Sequence, residues 1–325
     1  MKDLSELPKA RSGRTGLLPD AEPRFIQCLV EAWARDLDDN KPTALGTPFR
    51  HSDAGGCGRA ITYTAAGIPA SDPMDLSGVW NVGLGQRLHD LWQAELLARY
   101  PGAEIEVKVA SVDADGSGHI DAVIRQVYTC VEDDDHPKEW VTAYELKTIG
   151  GWGYKASIGL AKGPAEGPKM SHLLQSSLNG LGVDADEVVI GYLAKEAVSK
   201  AIADNKNLSE LERFCCEWTF TREQYEPLAR DEAKRIDGLL GLVADGTLGR
   251  RNVPHEMEPA AEIQDPATGA WTIERNGTTH AAGKYWGCSY CRFQSLCVRT
   301  GPGRIPVAEA VAVAVALGLT PGEAA

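Results

Sequence analysis

Asp121 and the tripeptide Glu145-Leu146-Lys147 put two carboxylates and an ammonium on segments that read as neighbouring strands. Residues two apart on a strand share a face, so Glu145 and Lys147 point the same way. The upstream run Gly118-His119-Ile120-Asp121 alternates too, which places His119, Asp121 and Val123 on one face. A polar stretch, residues 132–138, separates the two runs. A hairpin turning at Asp133 sets Asp121 directly opposite Glu145, with Cβ atoms about 5 Å apart. Carboxylates so placed repel, and a hard divalent cation that takes oxygen from both is the natural compensation. Lys147 reaches the same region, where its charge can hold a water or offset charge building on a phosphate. This set suits metal-assisted hydrolysis of a phosphodiester. A Glu-x-Lys tripeptide alone says little, because exposed strands often pair these types. The aspartate in register gives it weight.

Two further groups could serve such a site. His89, in Gly85-Gln86-Arg87-Leu88-His89, lies beside the apolar stripe of a long helix. Imidazole suits manganese or iron better than magnesium. Gln175 and Asn179 stand one helical turn apart, with His172 on a neighbouring flank. Such an amide pair can hold a phosphate or form an exposed polar face.

A second chemistry is soft. Cys288, Cys291 and Cys297 follow a C-x2-C-x5-C spacing. Thiolates select zinc or iron–sulfur clusters. Zinc ribbons usually show two knuckles, and here there is one, with His255 and His280 as substitutes. The fourth thiolate could come from Cys28, Cys57, Cys130, Cys215 or Cys216. Cys57 is preferred, because it sits in a Gly-Gly-Cys-Gly turn where backbone approaches a cluster closely and amides can bond its sulfurs.

Eight cysteines in a chain read as cytosolic argue for metal ligation rather than disulfides. Composition is ordinary for a globular protein, with 43% hydrophobic and 24% charged residues. No apolar run reaches the ~18 residues of a membrane span, and residues 1–23 lack a signal-peptide core. The expectation is a soluble cytoplasmic protein, in the host cytoplasm if phage-encoded, that makes no use of a membrane. A net charge of −13 disfavours generic nucleic-acid binding. The region 275–305 is nevertheless locally basic, with Arg275, Lys284, Arg292, Arg299 and Arg304 and no acidic residue. There is no phosphate loop of the Gly-x4-Gly-Lys-Ser/Thr kind, so the chain is not a self-contained ATPase.

Periodicity predicts helices over 21–39, 76–100, 169–181 and 222–243, and a further one capped by Ser52-Asp53 that carries Cys57, Ile61 and Tyr63. Strands are expected over 104–109, 118–127, 140–147, 187–193 and 214–220. Residues from 244 to 304 read as turn-rich, and 305–319 as a terminal helix or frayed tail. The order implies a mixed α/β core, with the N-terminal helices closing on the C-terminal part.

Cys57-x-Arg59-x3-Tyr63, Gly85-x3-His89, Gly118-His-Ile-Asp121, Glu145-Leu-Lys147-Thr148, Gln175-x3-Asn179 and Cys288-x2-Cys291-x5-Cys297 occur in this order. The set resembles the RecB-like branch of the PD-(D/E)xK nucleases, and within it the iron–sulfur exonucleases of the CRISPR-associated Cas-four type and their bacteriophage relatives. The likeness spans roughly residues 52–300. Each motif is short, but six in the family's order are specific together. The resemblance implies a mixed α+β, restriction-endonuclease-like core with a central mixed sheet, a helical N-terminal part and a C-terminal cluster region. It implies a nuclease domain over 20–304, with tails at 1–19 and 305–325. It also implies magnesium- or manganese-dependent cleavage of DNA, commonly from single-stranded ends and commonly 5′ to 3′. Carried over by position, His89, Asp121, Glu145 and the carbonyl of Leu146 hold the metal. Lys147 is the catalytic lysine and Gln175 the family's glutamine. Cys57, Cys288, Cys291 and Cys297 hold a [4Fe-4S] cluster. The partner is DNA, with a protein partner expected from recombination or CRISPR adaptation. One departure is clear: the family's tyrosine is replaced by Asn179, with Tyr154 or Trp152 as nearby aromatics. The rival readings are a nuclease that processes spacers in CRISPR adaptation, and a non-catalytic DNA-end or protein-binding module stabilised by zinc or iron–sulfur.

Overall fold

A computed structural model describes residues 49–72, 74, 76–129, 137–161, 167–250, 261–264, 271–275, 278–281, 291–300 and 303–319. The expected helix over 21–39, Cys28, Cys130, His255 and Cys288 lie outside these residues. By compactness Met1–Lys41 groups with Met74–Leu84, and Pro42–Pro73 with Gly85–Ala325. Every residue of the candidate site belongs to the second unit.

The unit is built on a six-stranded mixed sheet. Its strands are β1 (Phe49–Arg50), β2 (Glu104–Ala110), β3 (Gly116–Thr129), β4 (Pro137–Ile149), β5 (Glu187–Ala194) and β6 (Cys215–Thr221). The order is β1-β3-β4-β5-β6, with β2 on the other edge of β3. β4 and β5 run parallel, and the remaining long pairs are antiparallel. β5 reads Glu-Val-Val-Ile-Gly-Tyr-Leu-Ala, a near-continuous apolar run, as a strand covered on both faces requires. A Cβ at Gly191 would overlap the Tyr144 hydroxyl on the neighbouring strand, so glycine here leaves room for that ring.

The helices are α1 (Gly58–Ala65), α2 (Leu76–Arg99), α3 (Gly151–Ser157), α4 (Met170–Gly182), α5 (Lys200–Lys206) and α6 (Arg222–Ala244). α4 and α6 bury Leu174, Leu178, Leu181, Tyr225, Ala229, Ala233 and Ile236 against Ile120, Val123, Val141, Ala143 and Val188 of the sheet. The leucines, isoleucines and valines among them each contribute about 1.5–3 kcal/mol when fully buried. α6 starts where Gln224 Oε1 accepts the Thr221 N–H (2.9 Å), half of a capping box.

Two elements differ from expectation. Cys57 is not inside a helix but is the N-cap residue of α1, and Ser52-Asp53 belongs to a separate 3-10 turn, His51–Asp53. Residues 244–304 are not only turns. They contain a three-stranded antiparallel meander of β8 (Ala261–Gln264), β9 (Trp271–Arg275) and β10 (Thr278–Ala281), following the short β7 (Thr247–Leu248). Strands this short carry too few alternations for the pattern to stand out. Residues 305–319 form β11 (Ile305–Pro306), which pairs with β7, and a helix after the short α7 (Gln294–Cys297). That helix, α8 (Val307–Ala316), buries Ala310 and Ala314 in a second core with Tyr63, Ile68, Leu248, Phe293 and Leu296. No described helix is long and apolar enough to cross a membrane.

Candidate active site

The β3–β4 hairpin has the register its sequence called for: Ala122 pairs with Tyr144, Val123 with Ala143, and so on to Thr129 with Pro137. The ladder stops one pair short of Asp121 and Glu145. β1 meets β3 only at Gly116 and Ser117, and there β2 already holds the opposite edge. β1 and β4 therefore share one edge of β3, and the edge is open between Ser117 and Ala122. The site occupies this gap.

Side chains rather than backbone close the gap. The Leu146 N–H donates to Asp121 Oδ2 (2.7 Å), so the aspartate takes the place of a ladder carbonyl. Asn179 Nδ2 donates to the His119 carbonyl (2.9 Å). The strict alternation expected of β3 does not hold here. Ile120 and Val123, three residues apart, both enter the first core. Opposite this break, Glu106 of β2 has φ +51°, a left-handed backbone that a non-glycine residue rarely adopts in a strand. Flanking pairs Ile105–Ala122 and Val107–Ile120 set Glu106 across from Asp121.

Around the gap the expected residues converge. His89 Nδ1 lies 3.6 Å from Asp121 Oδ1. Lys147 Nζ donates to Glu145 Oε1 (2.6 Å) and to Gln175 Oε1 (2.9 Å). Gln175 Nε2 donates to Glu145 Oε1 (2.7 Å), and Asn179 Nδ2 to Glu145 Oε2 (3.1 Å). Gly85 permits α2 to approach, since a Cβ there would stand 3.0 Å from Thr148 Oγ1. One turn after His89, Gln93 Nε2 donates to Glu106 Oε1 (2.7 Å) and the Asp121 carbonyl (3.3 Å). Gln93 and Glu106 were not expected at the site. The i, i+4 spacing of His89 and Gln93 is the signal that could have found the first.

Electrostatics favour a cation here. Burial pushes the carboxyls of both Asp121 and Glu145 well above the usual range, and the Lys147 charge offsets this only in part. Glu145 is only 3% exposed. Burial also holds His89 below its ordinary value, with Lys147 adding to the effect, so its imidazole is neutral and able to ligate. Two buried oxygen acids beside a neutral imidazole fit a divalent cation. Among the described residues no group of three or more His, Cys, Asp or Glu side chains is arranged so as to hold a metal ion. Glu145 is instead turned toward Lys147 and Gln175.

Tyr154 is excluded as a substitute for the family's tyrosine, because it is buried and donates to the Glu212 carbonyl (2.8 Å). Trp152 is 79% exposed at the start of α3, just beyond β4. Tyr192 OH accepts the Lys169 N–H (2.8 Å) and lies 2.7 Å from His172 Nδ1. Burial, with the charges of Lys147 and Lys169 behind it, pushes His172 down to about 3. The unfolded chain takes up this proton near 6.5, so stability present above that pH is lost as pH falls toward 3. The slope is roughly 1.4 kcal/mol per pH unit. His172→Asn keeps an acceptor for Tyr192 and cannot be protonated. Chemical denaturation between pH 7 and 4 is expected to show a flatter decline for this variant than for wild type. Equal declines would remove His172 from the acid response.

Of the expected cluster residues, Cys57, Cys291 and Cys297 are described. Cys291 and Cys297 pack against the second core. Burial raises the Cys291 thiol, and Cys57 is close enough to raise it further. Gly55, at φ +69°, precedes Cys57; its N–H donates to Glu232 Oε1 on α6 (2.7 Å), and a Cβ there would stand 3.1 Å from the Ser171 Cα of α4. The Cys57 turn is thus tied to the helices that carry the site. Buried Arg59 donates to the carbonyls of Gly249 and Gly303 and to Thr300 Oγ1 (3.2 Å), fastening α1 to the C-terminal segment. Asp72 accepts from the Ser295 N–H (2.7 Å) and hydroxyl (2.6 Å). Arg292, of the locally basic region 275–305, is exposed, and its Nη2 donates to Thr64 Oγ1 (2.8 Å) while its guanidinium lies 5.0 Å from the Phe293 ring centre.

No family model and no curated protein matches the chain. Among solved structures it is similar to SSO0001, with 15% identity and a TM-score of 0.39 over 66% of this chain and 88% of that one. It is also similar to LHK-Exo in complex with dAMP (12% identity, TM-score 0.34, 62% and 89% of the two chains). A second structure of LHK-Exo, an alkaline exonuclease from Laribacter hongkongensis, gives 10%, 0.33, and 66% and 96%. Likeness at this level carries no argument about chemistry, which rests on the geometry above.

Proposed function

We propose that the chain is a metal-dependent deoxyribonuclease acting on DNA ends. The observation that carries this reading is the open edge of β3, where buried Asp121 and Glu145 meet His89 and Lys147. Asp121, Glu145, His89 and the Leu146 carbonyl would hold Mg2+ or Mn2+. When bound, the cation supplies Lewis acidity toward a phosphoryl oxygen and acidifies a water. Lys147 is held by Glu145 and Gln175 so that its charge stays in the gap, where it offsets negative charge developing on the phosphate. Gln175 orients both Lys147 and Glu145 through its two amide atoms.

The finer reading is an exonuclease working from single-stranded ends, 5′ to 3′, in phage or bacterial recombination or repair. Cys57, Cys288, Cys291 and Cys297 would hold a [4Fe-4S] cluster whose role is structural. The proximity of Cys57 to Cys291, and the shared core beneath Cys291 and Cys297, support this. Exposed Arg299 and Arg304 lie on the same C-terminal stretch and suit a DNA backbone. A role in CRISPR adaptation would instead be signalled by co-purification with an integrase complex.

The test is cleavage of end-labelled single- and double-stranded DNA with Mg2+ or Mn2+, wild type beside Glu145→Ala. Metal-dependent products from wild type alone support the reading. DNA binding without cleavage by either protein would instead mark a binding module with a degenerate site.

A further inference from the structure

His51 is fully buried at the end of β1, far in sequence from any motif of the site. Its Nδ1 lies 2.7 Å from Asn179 Oδ1, and its Nε2 lies 2.6 Å from Ser111 Oγ. Asn179 is also buried, and its Nδ2 faces two acceptors, the His119 carbonyl and Glu145 Oε2. That leaves Oδ1 as the acceptor from His51, which must therefore carry its proton on Nδ1. Burial keeps the ring neutral, so Nε2 accepts from the Ser111 hydroxyl. The network runs in one direction, from Ser111 through His51 and Asn179 to the Glu145 carboxylate. Rotating the Asn179 amide by half a turn would face its oxygen toward a carbonyl and a carboxylate.

A second observation meets the same bond. A Cβ on Gly118 would overlap both Asn179 Oδ1 and His51 Nδ1. The glycine three positions before Asp121 is thus the opening through which His51 reaches Asn179.

We propose that His51 and Asn179 are positioning residues that fix the Glu145 carboxylate through its Oε2 and so set its affinity for the divalent cation, and that Gly118 leaves room for their hydrogen bond. This rests on the nuclease reading above. Asn179 occupies the place where the resemblance expects tyrosine, so in this chain an amide anchored by an imidazole fixes the carboxylate. Outer partners of this kind typically change metal affinity by about 10- to 100-fold when removed.

The test titrates Mn2+ alone into the full-length protein, followed by electron paramagnetic resonance, with folding checked by circular dichroism. His51→Asn keeps a nitrogen donor at the Nδ1 position, whereas His51→Gln places its amide at the Nε2 position. Mn2+ affinity is expected to fall on the order of tenfold in His51→Gln and to stay within about threefold of wild type in His51→Asn. Should His51→Gln fail to fold, Asn179→Ala, which leaves space for a water, carries the same tenfold expectation. Wild-type affinity in His51→Gln or Asn179→Ala would overturn the proposal. So would equal loss in the two His51 variants, since packing rather than the donor would then be responsible. Glu145→Ala separates the two levels: if it loses Mn2+ while His51→Gln does not, the nuclease reading stands and the positioning role falls. If Glu145→Ala binds Mn2+ like wild type, both fall.

Discussion

Asp121→Ala and Glu145→Ala are each expected to reduce metal-dependent DNA cleavage on the order of a thousandfold or more while the protein stays folded. The two side chains have different settings. Asp121 accepts the Leu146 N–H and bridges the break between β3 and β4, so removing it leaves that buried amide without its acceptor. A cost of about 1–3 kcal/mol follows. Glu145 is a buried carboxylate whose ionised form is disfavoured, so its loss relieves desolvation but leaves Lys147 with only the Gln175 acceptor of its two. The expected result is two inactive proteins with near-native far-UV spectra, the Asp121 variant melting lower. Undiminished cleavage by either purified variant would falsify the site assignment.

Cys291→Ala is expected to cost the broad visible absorption near roughly 400 nm. It is also expected to lower thermal stability. Joining the N-cap of α1 to the C-terminal segment resembles a long-range cross-link, for which removal costs about 2–5 kcal/mol. For a domain of this size that is on the order of 10 °C in Tm. The loss should be partial. Arg59 and Asp72 fasten the same two segments by hydrogen bonds that need no thiolate. The site itself stands on the first core, from α4, α6 and the sheet, which is separate from the core beneath Cys291 and Cys297. Residual Mn2+ binding at the Asp121–Glu145 site is therefore expected in the bleached variant. Wild-type protein that is colourless and holds stoichiometric zinc after anaerobic purification would sink the cluster assignment.

The long periodic segments were legible from residues alone. α2, α4 and α6 fall within a residue or two of their expected spans, and so do β5 and β6. The hairpin register was legible too, because the turn lay in an isolated polar run and a slip of one residue would have sent buried side chains to solvent. Short elements such as α3, α5 and the meander over 261–281 were not, since few residues carry their pattern.

At the site, sequence by itself determined the chemical inventory: the carboxylates, the lysine, the imidazole, the glutamine, and the thiols of the C-terminal spacing. Those groups depend on residue type and on local spacing along one strand or helix. Tertiary structure alone decided how the gap is closed. The break in alternation at Asp121 and the left-handed Glu106 stand across from each other on β3 and β2, a juxtaposition that neither strand's sequence records. His51 and Asn179, 128 positions apart, meet only because β1 and α4 converge on the open edge of β3. Such a contact leaves no periodic trace in the chain, because neither residue's neighbours in sequence record what lies across the fold.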